Sequence, residues 1–481
     1  MQKPARPLIL DSWAPFYFIF FLYASYNSIV EPQDFKSPLP PRRICVVDEA
    51  GETSPPSAPV ITETAPEITS ARSTLVPPKK SFIPYIIGII AIPLLALLIF
   101  KFILPYFKKG SSKAMTITYW GLWENPSVLQ GIIADFESKN PNIKINYKEN
   151  SKIDYRTRLA GRILKDPETE EVPDIFRIHS SWLPMFKDNI SPVPLATLTA
   201  LNFEQDFYDV YKKDLKMGNS YYAIPLMYDG LVLFYNKDLI QKGGVELPKT
   251  WWDLKTAASK LTVRDQNGNI EIAGVAMGLT DNVDHWSDIL GLLLKQNGAD
   301  ILKSKKTAED NQRIKDVLSY YINFYSDEDR PWDETQPSST DLFASGKLAF
   351  YIAPSWRVFN LDEKNPNLPF EITSIPQLPI LDTGNLTNIH WATYWVEAVN
   401  SKSKHQAEAW KFLEFLASKE SLQKMYTAAS DTRRFGEIYP RKSLGDTLIN
   451  EPKLKPFIDS ANSNFTESGY LASRTFDGGG I

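Results

Sequence analysis

The sequence predicts an α/β protein built from more than one core, and three observations carry that expectation. The chain has 481 residues, more than a single hydrophobic core usually organises. Its 43% hydrophobic and 23% charged residues are those of a chain that folds over most of its length. Beyond Lys113, short β-rich runs alternate with helical stretches, the pattern of a sheet covered by helices on both faces.

The elements can be taken in order. Thr116 to Trp120 reads as a strand. Asn125 caps a helix with Pro126 at its first position, Ile132, Ile133 and Phe136 supply the apolar stripe, and Asn140 ends it. Ile143 to Tyr147 alternates as a second strand, a helix follows around Tyr155 to Leu164, and Asp174 to Ile178 is a third strand. Three such units imply a parallel sheet, whose ligand loops beyond the strand carboxyl ends are Gly121 to Asn125 and His179 to Trp182. Both contain tryptophan. Farther on, Leu231 to Tyr235 is a strand, and Thr250 with Asp253 forms a capping box on the helix beginning WWDL. Ile272 to Met277 is another strand. Helices fit His285 to Gln296, Ala308 to Tyr325 and Ser339 to Ala344, the last stopped by Gly346 before the strand Leu348 to Ile352. Gln406 to Ala417 and Ser421 to Ala429 are helical by spacing.

Ahead of this body lies a different kind of chain. Phe82 to Phe100 runs without a charge for about the length a helix needs to cross a bilayer. Lys79, Lys80, Lys101, Lys108, Lys109 and Lys113 flank it, with Tyr85 and Tyr106 placed for the interfaces. We read one transmembrane helix there; because both flanks are basic, the charges leave its orientation open. Glu31 to Pro78 is rich in Pro, Ser, Thr and Glu, a composition unable to bury enough surface to offset chain entropy, and reads as a disordered N-terminal tail. Phe16 to Tyr26 is short for a span and reads either as a signal-like segment or as sequence upstream of the true start.

Composition excludes several classes. Fifty-three basic against 57 acidic residues leave a net charge of −4 and no basic excess for phosphates, so no nucleic-acid partner is expected. The single cysteine, Cys45, rules out an intrachain disulfide or a Cys-based metal cluster. No nucleophile elbow, P-loop or HExxH helix occurs, and His179, His285, His390 and His405 are far apart in the chain. We expect no enzyme, no cofactor and no metal.

Several segments together resemble the family 1 extracellular solute-binding proteins, the sugar-binding group of ABC importers. The most specific stretch, from Tyr222 to Lys260, contains Tyr235-Asn236-Lys237-Asp238-Leu239 and then Pro248-Lys249-Thr250-Trp251. It is joined by the Trp286 helix ending in Asn297-Gly298-Ala299, by Phe343-x-x-Gly346-Lys347-x-Ala349, by Trp356, by Trp410-Lys411-Phe412-Leu413 and by Pro440-Arg441-Lys442. The resemblance spans roughly Met115 to Ile481. It implies a two-lobed periplasmic-binding-protein-like fold of type II, with ligand in the cleft and crossing strands at a hinge near Tyr228 to Val232 and Ser374 to Pro376. The expected organisation is a tail over 1–78, an anchor with its flanks over 79–109, and lobe one over 114–229 and 377–430. Lobe two takes 230–376 and 431–481. There are two departures from the family pattern: a helix replaces the usual lipid anchor, and the ending FDGGGI reads as cut short.

A sugar presents apolar ring faces and a rim of hydroxyls, so its site needs aromatic platforms with carboxylates or amides. Matching the family position by position implies ligand contacts from Trp123, Glu124, Ser181, Trp182, Asp229, Trp286 and Trp356; His390 and Trp391, on the approach to another strand, are also candidates to face the cleft, with Arg433 as an additional candidate. Trp120, Trp251, Trp252 and Trp410 read as packing residues. The implied function is a single-pass cell-membrane receptor with its binding domain outside, which captures a carbohydrate, in the first place a neutral oligosaccharide, and delivers it to an ABC permease. The alternatives are a ligand-sensing or glycan-adhesion receptor, or a receptor for a polyamine or glycerophosphodiester.

Overall fold

The computed structural model describes residues 114–166, 171–299, 305–380 and 383–468. The Phe82 to Phe100 run and the N-terminal tail lie outside them. Among the described residues no helix is long and apolar enough to cross a membrane.

Strand β1 (Met115–Gly121) pairs in parallel with β2 (Ile143–Glu149), from Met115 opposite Ile143 to Gly121 opposite Glu149. Helix α1 (Pro126–Lys139) joins them; the Asn125 side chain accepts from the Ser127 N–H, and Val128, Leu129, Ile132 and Phe136 are buried. Helix α2 (Tyr155–Ile163) precedes β3 (Ile175–His179), whose five residues are all buried, as a central strand requires. After a run of short helical turns, β4 (Ile224–Pro225) ends this part of the chain.

A second sheet begins with β5 (Val232–Asn236), followed by α3 (Lys237–Gly243) and α4 (Trp251–Leu261). The capping box on α4 is formed: Thr250 Oγ1 accepts from the Asp253 N–H at 3.0 Å, and the Asp253 carboxylate accepts from the Thr250 N–H at 2.9 Å. Next come β6 (Val263–Arg264), β7 (Ile270–Val275), α5 (Trp286–Gln296), α6 (Ala308–Ser326) and α7 (Ser339–Ala344). β8 (Leu348–Ala353), α8 (Arg357–Lys364) and β9 (Phe370–Thr373) complete it. The chain then returns through β10 (His390–Ala392) and β11 (Trp395–Val399) to α9 (Gln406–Leu416), α10 (Lys419–Ser430), α11 (Lys455–Asn462) and β12 (Thr466–Ser468).

The two five-stranded sheets run β2-β1-β3-β11-β4 and β9-β5-β8-β7-β6. Neither is purely parallel, which corrects the expectation from the βα alternation. β11 enters the first sheet on its way back from the second, so it lies antiparallel to β3, with Trp395 opposite His179. In the second sheet, β5 runs antiparallel to both β8 and β9, and the parallel pair is β7 with β8. Residues from Ile438 onward, expected with the second lobe, touch both sides. Arg441 donates to the Leu201 and Ala417 carbonyls and to Asp206, β12 pairs with β10, and Lys453 donates to the Phe370 carbonyl at 2.9 Å.

The chain passes between the sheets where Tyr228 to Leu231 runs beside Trp391 to Thr393. Leu231 N–H donates to the Trp391 carbonyl and Thr393 N–H to the Asp229 carbonyl, each at 2.9 Å. A Cβ on Gly230 would lie 2.5 Å from the Trp391 carbonyl oxygen, so only glycine permits this approach. Three carboxylates, Asp229 and Asp288 buried and Asp214 half-buried, brace the same place. Asp229 accepts from the Ser355 N–H (2.8 Å) and hydroxyl (2.7 Å), Asp288 from Trp391 Nε1 (2.8 Å), and Asp214 from the Tyr394 hydroxyl (2.8 Å). Burial pushes Asp229 up to about 7 and both Asp214 and Asp288 up to about 6.

Gly230→Ala should cost roughly 2 kcal/mol, read as a lowered urea midpoint with an unchanged slope, because the added methyl meets backbone. The raised carboxylates set a pH dependence. Asp229 stabilises the fold most below its unfolded value near 4, and that contribution is lost as pH rises through about 7. The Asp229→Asn variant should therefore gain stability relative to the parent chain between pH 4 and 7, measured by denaturation at each pH.

Candidate functional site

In the first sheet, the carboxyl ends of β1 and β3 and the start of antiparallel β11 fall together, because β1 and β3 are parallel and Trp395 pairs with His179. That edge carries an aromatic group. Trp123, after β1, lies edge-on to Trp395 with ring centroids 5.2 Å apart, and Trp182, in the turn after β3, meets Trp395 from another direction at 5.2 Å. The His179 ring stands 5.3 Å from Trp395 and is held by Ser181 Oγ at Nδ1 (2.8 Å) and Thr393 Oγ1 at Nε2 (3.0 Å). Burial depresses His179 to about 3, so it is neutral at physiological pH.

An ionic group underpins these rings. Buried Arg177, on β3, donates through Nη1 to Glu124 and through Nε to Glu397 at 2.6 Å. Its guanidinium lies 4.7 Å from the centre of the Trp123 ring. Trp123 Nε1 donates to Glu437 at 3.1 Å, and Glu437 also accepts from Arg433 at 2.8 Å. The tryptophan is thereby fixed by ring contacts, a cation and a hydrogen bond, which pre-organises it as a surface for a ligand.

The second sheet presents its own aromatics after the carboxyl ends of parallel β7 and β8. Trp286 opens α5 and Trp356 immediately precedes α8; each is 38% exposed. His285 packs its ring 5.6 Å from Trp356, and Arg357 lies 4.2 Å from the Trp356 ring centre while donating to His285 Nε2 at 3.1 Å. Burial, with Arg357 beside it, depresses His285 to about 3. Ser355 links the two groups, since it bonds Asp229 while its neighbour Trp356 faces outward; Thr393 bonds both Asp229 and His179. A further tie joins α8 to the loop after α10, where Arg434 donates to both Asp362 oxygens at 2.6 Å.

The sequence-predicted residues therefore separate into groups. Trp123, Ser181 and Trp182 gather around Trp395 and His179 on the first lobe, Ser181 and Trp182 being buried there, and on the second Trp356 stands beside His285, the residue before Trp286. Glu124 is a counter-ion of Arg177, and Asp229 is a buried brace at the crossing, so in this conformation each serves the fold around the site. Trp391 is corrected to an interior residue: it is fully buried, bonded to Asp288 and wedged against Gly291. His390 bonds Asn388 and lines a separate polar recess of about 400 Å³ with Ser374, Gln377 and Ser463. Arg433 is engaged by Glu437. Trp395, Arg177, His179 and Arg357 were not among the candidates. The tryptophan-rich stretch from His390 to Trp395 pointed to the right neighbourhood, but only the strand register selects Trp395. Among the described residues no three His, Cys, Asp or Glu converge as a metal site.

Replacing Arg177 by Met should cost about 3 to 5 kcal/mol in denaturant unfolding, because two buried carboxylates lose their cation. The loss should shrink in acid, as protonation relieves the pair.

Comparison with known proteins is consistent with this geometry. Multiple sugar-binding protein of Streptococcus mutans is 23% identical over 310 residues, covering 63% of this chain and 71% of that protein. A solute-binding protein from Thermotoga lettingae, solved with α-D-tagatose, superposes with a TM-score of 0.57 at 19% identity, covering 74% of this chain and 89% of the other. A cyclo/maltodextrin-binding protein complexed with maltotetraose gives 0.57 at 17% identity, covering 76% and 88%. These solved structures support the two-lobed α/β fold. Residues 120–423 match the bacterial extracellular solute-binding protein family, and the chain belongs to it.

Proposed function

We propose that the chain is a membrane-tethered receptor that captures a carbohydrate between its lobes and delivers it to an ABC permease. The observation that carries this reading is the gathering of Trp123, Trp182 and Trp395 on one lobe and Trp286 and Trp356 on the other, at strand carboxyl ends on either side of the Asp229–Ser355 contact. Flat indole surfaces suit the apolar faces of pyranose rings. A tether fits the apolar run Phe82 to Phe100, which would hold the receptor beside its permease.

Closure brings the two aromatic groups onto one ligand, so binding alters the surroundings of several indoles at once. Intrinsic tryptophan fluorescence of the full chain in mild detergent, titrated with mono- and oligosaccharides, polyamines and glycerophosphodiesters, should change saturably with a saccharide. Trp356→Ala and Trp395→Ala should each weaken that response by about tenfold or more. Saturation by a polyamine or glycerophosphodiester in place of sugars would sink the carbohydrate reading.

A further inference from the structure

The tryptophans of the site are accompanied by cations on both lobes. Lys152 Nζ lies 5.5 Å from the Trp123 ring centre, and the Arg357 guanidinium lies 4.2 Å from that of Trp356. Arg156 sits 5.7 Å from the Trp182 ring centre in the same way. The Lys152 loop is fixed at its base: Arg158 donates to the carbonyls of Ser151 at 2.8 Å and Ile153 at 2.9 Å, holding the ammonium at the aromatic edge. Lys152 is exposed and makes no ion pair among the described residues. Arg357 spends its Nε on His285 and one Nη on Asn360, and its Asp284 contact is long, at 3.6 Å.

The nearby carboxylates are committed elsewhere. Glu124 and Glu397 share Arg177, Glu437 holds Trp123 and Arg433, and Asp229 holds Ser355. Asp284 accepts from the Thr340 N–H at 3.0 Å and the Ser339 hydroxyl at 3.1 Å. Four buried polar atoms in this neighbourhood have no partner among the described residues, the donors Trp182 Nε1 and Arg433 Nε and the acceptors Glu124 Oε1 and Glu397 Oε2. The buried charges of the first lobe thus answer one another in the interior, and Lys152 is an exposed cation left at the Trp123 ring.

We propose that the captured saccharide is anionic, with Lys152 on the first lobe and Arg357 on the second holding its acidic groups. This rests on the carbohydrate reading above and narrows it, against the neutral oligosaccharide that the tryptophan-rich loops of the sequence favour. An arginine fork suits a carboxylate, sulfate or phosphate on a ring, and a lysine suits the same groups as a point charge. One cation on each lobe means that closure, rather than either lobe alone, engages an acidic oligosaccharide fully.

Isothermal titration of the full chain in mild detergent tests this with matched pairs: digalacturonate against the neutral galactobiose of the same linkage, and a sulfated and a phosphorylated disaccharide against their parents. The acidic member of at least one pair should bind tenfold tighter or more, equivalent to about 1.4 kcal/mol. The preferred pair identifies the acid, and raising salt from 50 to 500 mM should erode the preference. Lys152→Met, on an exposed loop, should cut the preference severalfold while leaving neutral-sugar binding in place, and in Arg357→Gln, which also loses a brace of Trp356, the acidic member of the pair should lose severalfold more affinity than the neutral one. Equal or tighter binding of the neutral members, or an acid preference untouched in Lys152→Met, overturns the inference and leaves the carbohydrate reading standing. Binding of no saccharide of either charge by the folded chain overturns both.

Discussion

The structure turns on the backbone contact between Tyr228 to Leu231 and Trp391 to Thr393. Both sheets hang from it, and it exists because Gly230 has no side chain to hold the two strands apart. The contact does little alone. Around it, Asp229, Asp288 and the half-buried Asp214 reach in from different elements and satisfy Ser355, Trp391 and Tyr394, so the crossing is fixed by hydrogen bonds to carboxylates. Because Asp229, Asp288 and Asp214 all have raised pKa values, the stability of this crossing responds to pH.

The binding surface inherits its order from that junction. Trp356 follows the serine that grips Asp229, and Trp395 lies two residues past the threonine that reads the Asp229 carbonyl. Each lobe then stiffens its aromatics by a different device. On the first, Arg177 is clamped between two glutamates and supports Trp123 from within. On the second, a neutral His285 and Arg357 brace Trp356 near the surface. A buried cation with two anions is costly in isolation, and here the same guanidinium also packs against the Trp123 ring and helps to fix it.

Much of this was legible in the sequence wherever the determinant was local. Thr250 and Asp253 announce their helix three residues apart, and Pro126 after Asn125 announces another; both are as read. The first lobe's βα order was equally plain. What was not legible depends on residues far apart meeting. Glu124 looks like a loop carboxylate until Arg177 is placed beside it, and Trp391 and Trp395 look alike until pairing sends one inward and the other to the aromatic edge. Asp229 matches a family ligand position, yet Ser355, distant in sequence, occupies its carboxylate here. Period and propensity do not encode such partnerships; topology does.

The sheet order β2-β1-β3-β11-β4 has a consequence for how the molecule is made. β4 joins the first sheet only through β11, and β11 is synthesised after the whole second sheet. As the chain leaves the ribosome, the first lobe must wait with an open strand edge at β3 while the second lobe's strands appear and become able to pair. Only when Trp395 to Val399 emerges can that edge close and Ile224 and Pro225 find their neighbour. Such non-local closure is slow, and the waiting intermediate is one that a holding chaperone would be expected to recognise until the missing strand arrives.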